Sequence, residues 1–282
     1  MNIILHAGFH KSGTTSLQQA FLDSSSEKGL IKAGKKAVIY PRPKNLGPGH
    51  CELAQKVQLS SSPEYDPDGL LKIARDCAKN LGWRRKGTLL LSSECFTNNS
   101  NFEPIGQLAN AYKVHLVLTR RPVFEALPSL HQEMIKHGDA NDYLGIAGLE
   151  EAQKRMQFHV SKIDKLLNSA KFSDISVIST TVQNPSFIFD CFNRILNTNL
   201  DVYTRNQTLE KNVIQELVRI NKQKSTLSKL EKISLAMKTA SKTEDISIDA
   251  AMKENFTSLE NEIHNYFHSL AAENKIRYFT QS

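Results

Sequence analysis

Long hydrophobic runs are what this 282-residue chain most lacks. No stretch of eighteen apolar residues occurs, so no membrane-spanning helix is expected. The apolar run near the N-terminus, Ile3-Ile4-Leu5, has only strand length, and a polar loop follows at once. That is not the pattern of a secretory leader, and a cytoplasmic location is the expectation. Cysteine is scarce: Cys51, Cys77, Cys95 and Cys191 lie far apart, with no Cys-x-x-Cys pair. Neither a zinc site nor a disulfide framework is indicated, and buried free thiols are expected. Base-reading motifs and interleaved aromatic platforms are missing, which removes nucleic acid from the expected partners. The formal charge of +7 then fits a polyanionic cofactor or an acidic glycan. Repeats and low-complexity segments are absent as well.

What is present is concentrated in the opening fifteen residues, MNIILHAGFHKSGTT. A buried strand runs into Gly8, a loop carries His10, Lys11, Ser12 and Gly13, and Thr14, Thr15 and Ser16 open a stretch with helical spacing. Backbone N–H groups in such a loop, with the helix dipole behind them, form an anion site before any side chain contributes. Gly8 and Gly13 stand at the separation of a Walker A loop, but Thr14 occupies the lysine position and the lysine has moved to Lys11. The loop therefore keeps a phosphate grip without the Lys-Ser/Thr pair that couples Mg²⁺ to a β,γ-phosphate. The structural alternative is a glycine turn whose hydroxyls merely cap a helix.

Further apolar runs predict strands at Ala37–Tyr40, Gly87–Glu94, Val114–Thr119 and Ile175–Ser179. Helices are predicted near 50–57, 68–81, 122–137, 149–169 and 185–196. Short buried strands alternating with helices predict a three-layer α/β fold, a P-loop-like parallel sheet of about five strands flanked by helices. Residues 1–205 form this core. Residues 206–282, without a strand signal, form a helical C-terminal extension with helices at 211–240 and 249–272. Ligands bind beyond the carboxyl ends of the strands in such sheets, so Lys11, Glu94 and Arg120/Arg121 should converge on one edge.

The stretch from Gly8 to Leu17 closely resembles the 5′-phosphosulfate loop of sulfotransferases that use PAPS (3′-phosphoadenosine 5′-phosphosulfate), in a bacterial polysaccharide-type branch. The resemblance extends to residues 116–130, where that family has a strand-end Arg and a helix Ser that grip the 3′-phosphate. Arg121 stands eight residues before Ser129, while Arg120 has the Arg-x-Pro spacing to Pro122, so both arginines are candidates. The resemblance implies PAPS as donor, PAP as product, no metal, and a hydroxyl or amine of a carbohydrate-type acceptor. His10 through Ser16 would hold the donor, with Lys11 stabilising charge on the bridging oxygen.

Two residues compete for the base. Glu94 ends the third predicted strand in Ser92-Ser93-Glu94, and His50 follows a Gly-Pro-Gly loop at a helix start. His131 and His137 read as ordinary helix residues. Two other functions stay open: a P-loop nucleotide or small-molecule kinase, against which Thr14 speaks, and a non-catalytic nucleotide-binding module whose helical part docks a partner.

Overall fold

The structure is a computed structural model and describes residues 1–9, 13–33, 36–43, 47–81, 87–98, 101–202, 209–223, 227–240, 248, 250–273 and 275–280. Its centre is a seven-stranded sheet built from β1 (Asn2–Gly8), β2 (Leu30–Ala33), β3 (Lys36–Ile39), β4 (Gly87–Ser92), β5 (Lys113–Arg120), β6 (Asp174–Ser179) and β7 (Arg277–Phe279), in the order β2-β3-β4-β1-β5-β6-β7. All neighbours pair in parallel except β2 with β3. The expectation of about five strands thus falls short by two. The edge strand β2 alternates exposed and buried residues over four positions, and β7 is three residues long, so neither presents an apolar run. The segment beyond residue 206 is therefore not purely helical.

The helices are α1 (Thr14–Ser24), α2 (Cys51–Gln58), α3 (Gly69–Leu81), α4 (Glu103–Ala111), α5 (Val123–Lys136), α6 (Ile146–Ser169), α7 (Phe187–Leu196), α8 (Lys211–Lys222), α9 (Lys229–Thr239) and α10 (Ala250–Ala272), with a 3₁₀ turn at Glu94–Thr97. The predicted helix over 211–240 is two helices, α9 starting at a capping box formed by Ser228 and Glu231. The short α4 has no counterpart in the sequence reading.

The chain divides into two compact units, the first Met1–Arg121, His159–Asn206 and Asn265–Ser282, the second Pro122–Phe158 and Gln207–His264. In the first unit, alternate residues of each strand face opposite sides. One face, with Ile4, Leu90, Val117 and Ile178, packs with Leu17 and Phe21 of α1 and Ile188, Phe189 and Phe192 of α7. The other parity, including Ile3, Leu5, Leu89, Leu91, Leu116 and Leu118, is also fully buried. Covering on both faces explains why these strands read as continuous apolar runs. The second unit has its own core, where Ile135 of α5, Val213, Ile214, Leu217 and Val218 of α8 and Ala236 of α9 meet around Tyr143.

Candidate functional site

The strand order locates the place where a ligand would sit. The chain leaves β1 toward β2 on one side of the sheet and leaves β5 toward β6 on the other, which makes the carboxyl ends of β1 and β5 the switch point where sheets of this kind take ligands in a crevice. The two ends are in close contact at Gly8. A Cβ there would meet Thr119 Oγ1 at 2.3 Å and Thr119 O at 2.7 Å, so only glycine fits. The Phe9 N–H then donates to Thr119 O at 2.9 Å. The loop resumes at Gly13, whose φ of 83° is left-handed and suits glycine, and α1 begins at the next residue. His10, Lys11 and Ser12 lie outside the described residues. Thr14 is buried, while Thr15 and Ser16 are half-buried.

Glu94 reaches this loop from β4, which is β1's other neighbour. Its 3₁₀ turn is pinned at several points. The Ser93 N–H donates to His6 O at 3.0 Å, the Cys95 N–H to Ser93 Oγ at 3.0 Å, and Thr97 Oγ1 to Gly8 O at 3.0 Å. Held this way, the Glu94 carboxylate accepts a hydrogen bond from Thr14 Oγ1, the hydroxyl in the first turn of α1. A carboxylate is thus joined to a residue eighty positions earlier, at the start of α1.

The two arginines part company at the end of β5. Arg120 points to the same sheet face as Leu118, is 1% exposed, and its Nη1 donates to Tyr278 Oη of β7 at 3.3 Å. Arg121, half-buried, turns toward the loop: a Cβ placed on Gly13 would stand 4.0 Å from its Nη2. Ser129 is half-buried on α5, in the second unit.

His50 is buried with both ring nitrogens engaged by backbone. The Ser92 N–H donates to Nδ1 at 3.1 Å, and Nε2 donates to Pro41 O at 2.7 Å. Burial lowers its pKa below 6.5, against the opposing pull of the Pro41 and Ser92 backbone contacts. A neutral imidazole already holding two backbone groups joins the 41–50 loop to β4, and it has no lone pair left for an acceptor proton. The same logic applies to His6, which the sequence reading passed over. Its Nδ1 meets Ser92 Oγ at 2.7 Å and its Nε2 meets Thr119 Oγ1 at 3.3 Å, and burial pushes its pKa down to about 3. His6 ties β4, β1 and β5 together one turn of the pleat below the crevice. Its signal was a histidine inside an otherwise apolar strand.

One expectation about cysteine is overturned. Cys51, at the start of α2, and Cys95, in the 3₁₀ turn, form a disulfide across 44 residues. Each follows one of the two candidate bases, His50 and Glu94. Cys191 is a buried free thiol, its pKa pushed up to about 11 by burial, and Cys77 is free and half-buried. Local spacing arithmetic misses a pair brought together only by β4 and the fold around it.

Among the described residues, no group of three His, Cys, Asp or Glu side chains is placed to hold a metal ion, and no helix is long and apolar enough to cross a membrane. Comparison with protein-family models finds no match, and comparison with curated proteins finds none either.

Proposed function

We propose that the protein is a sulfotransferase that moves a sulfuryl group from PAPS to a hydroxyl or amine of a carbohydrate-type acceptor. One observation carries this reading. At the crevice, the left-handed Gly13 and the buried Thr14 that open α1 have the Arg121 guanidinium and the Glu94 carboxylate as neighbours. A helix N-terminus approached by an arginine suits a multiply charged phosphate ligand. A carboxylate beside it suits an acceptor that must lose a proton.

PAPS would supply the activated sulfuryl group. The chain's own residues then divide the work. Backbone N–H groups at the start of α1 and the hydroxyls of Thr15 and Ser16 bind and orient the 5′-phosphosulfate end. Lys11, assigned from sequence, neutralises charge growing on the bridging oxygen. Arg121 takes the 3′-phosphate in preference to Arg120, whose guanidinium is buried and bonded to Tyr278. Glu94 accepts the acceptor's proton, since both nitrogens of His50 are occupied.

A second reading has an observation of its own. The Thr14–Glu94 bond is equally what a rigid, non-catalytic nucleotide-binding module would need to brace its loop. Calorimetric titration with PAP, ATP and ADP, with and without Mg²⁺, tests both. Metal-independent PAP binding that is lost in Lys11→Ala and weakened in Arg121→Ala supports the donor site. Glu94→Gln then separates the readings, because the enzyme loses sulfuryl transfer in an acceptor screen while PAP binding persists. Binding of ATP only with Mg²⁺, and none of PAP, would replace the sulfotransferase with a kinase.

A further inference from the structure

The sheet face that packs with α1 and α7 turns polar toward the amino ends of its strands. Thr88, Asn2 and Lys113 stand in register across β4, β1 and β5, and the next row on that face runs Leu90, Ile4, His115, Asp174. α7 does not reach this far. It stops at Leu196, and Asn197 takes the left-handed conformation, with φ 54°. The Asn193 side chain fixes the turn that follows. Its Oδ1 accepts from the Leu200 N–H at 2.7 Å and from Thr198 Oγ1 at 3.1 Å, and Leu200 is buried in the core beside α7. A cavity of about 720 Å³ is left between the end of α7 and the sheet, with Ile4, Val38 and Leu196 in its apolar lining. Its walls are a strand ladder and a capped helix end, so the space is preformed.

The polar lining carries an uneven charge. Asp174 is paired with Arg277 of β7. His115 Nε2 is bonded to Ser176 Oγ at 2.8 Å, and burial, with the Arg277 charge nearby, lowers its pKa to about 4. The ring is therefore neutral at pH 7, and its Nδ1 has no hydrogen-bond partner among the described residues. Lys113 makes no ion pair among the described residues, which leaves it the uncompensated charge of the lining.

We propose that this cavity is a second ligand site, for a small organic anion whose apolar body lies on Ile4, Val38 and Leu196 and whose acidic group meets Lys113. His115 Nδ1 is the hydrogen-bonding partner for a polar group on that body. Asn2 and Gly8 are the two ends of β1, about 20 Å apart at six residue steps, so this ligand is neither the donor nor the acceptor at Glu94. The site does not depend on the donor reading. A carboxylate and a phosphate monoester both suit Lys113, and the probes below tell them apart.

The test uses the full chain with labelled histidines, the His115 ring signals being assigned by their loss in His115→Asn. 2-Naphthoate, 2-naphthyl phosphate and the neutral 2-naphthamide are titrated in turn and followed by NMR. At least one of the two acids should give a saturable shift at His115 with His6 unmoved, and which one responds identifies the acidic group. The amide should bind about three- to fivefold more weakly, the scale of an exposed charge pair. Lys113→Gln should weaken the acid by the same factor and leave the amide unchanged, whereas Lys113→Arg should keep the acid bound. Thr88→Phe, an aromatic side chain at a strand position that lines the cavity, should abolish the shift. No saturable shift with either acid overturns the proposal. So does equal affinity for acid and amide, or a Lys113→Gln variant that binds the acid as tightly as wild type.

Discussion

In the first unit His6 is fully buried with both ring nitrogens hydrogen-bonded; in the second His131 of α5 is equally buried, and neither of its nitrogens has a hydrogen-bond partner among the described residues. Asp139 Oδ2 lies 4.0 Å from His131 Nε2, and that atom is itself buried without a hydrogen-bond partner among the described residues. At that distance, with burial lowering the His131 pKa more than Asp139 raises it, the contact is not an ion pair at neutral pH. The second unit instead places a buried polar stitch at Asn221 of α8, whose Nδ2 donates to Ile135 O and Asp139 O at 2.8 and 2.9 Å. The contrast concerns what buried polarity is for. At the crevice, satisfied polar groups lock three strand ends in register, so Glu94, Gly13 and Arg121 have fixed neighbours. In the helical unit, packing carries the shape, and His131 is a cost that the apolar core absorbs.

The sharpest way to break this comparison is to make one substitution at both histidines. His6→Leu strands the buried Ser92 Oγ and removes two hydrogen bonds, so it should lower the free energy of unfolding by about 3 kcal/mol. Urea denaturation measures it. A loss no larger than that of His131→Leu would mean the two interiors do not differ.

Next in size is the response to acid. His6 and His115 have pKa values lowered by burial to about 3 and about 4, and His50 is lowered too, all in the first unit. The unfolded chain takes up each proton near pH 6.5, and the folded chain resists until lower pH. Stability is therefore complete above 6.5 and falls as pH drops below it. His6 alone contributes a slope of up to about 1.4 kcal/mol per pH unit. Hydrogen exchange at pH 7 and pH 5 should show protection lost mainly in the first unit, and His6→Leu should flatten the slope. Equal loss in both units would contradict the assignment.

The sequence was legible where structure is local. β1, β3, β4, β5 and β6 are doubly covered or nearly so, and their apolar runs declare them. β2 and β7 owe their existence to neighbours that offer a free edge, and nothing in Leu30–Ala33 or Arg277–Phe279 alone requires a strand. The same holds at the site. Gly8, Gly13 and the hydroxyls of the first helix stand out as a strand–glycine–helix junction because they are contiguous. Which of Arg120 and Arg121 turns toward Gly13 depends on strand parity at one residue's resolution, and spacing along the chain leaves it open. The Thr14–Glu94 bond and the Cys51–Cys95 bridge join segments with no mutual signature, and His131 read as an ordinary helix residue because burial without a partner leaves no mark in sequence.

A smaller effect tests the stitch of the second unit. Asn221→Ala removes both hydrogen bonds to the end of α5 and should cost about 1.5 kcal/mol, with faster amide exchange expected after Ile135. A neutral result would mean that packing alone holds α8 against α5.

The smallest predicted effect carries the opposite sign. His131→Leu exchanges a ring with two unpaired nitrogens for an apolar side chain, which removes a desolvation penalty of about 1–3 kcal/mol. Leucine suits the site better than phenylalanine. α6 passes so close that a Cβ on Gly148 would meet the His131 ring at 2.1 Å, and a longer ring would be driven into that helix. Leucine also leaves a void beside Tyr143, whose ring lies 5.8 Å from the imidazole, and that void offsets most of the gain. The net change should be within about 1 kcal/mol of zero and on the stabilising side at pH 5, where wild type is weakened by the proton His131 cannot take up. A clear destabilisation at both pH 7 and pH 5 would show that His131 has a polar role after all, and the two histidines would then differ in degree rather than in kind.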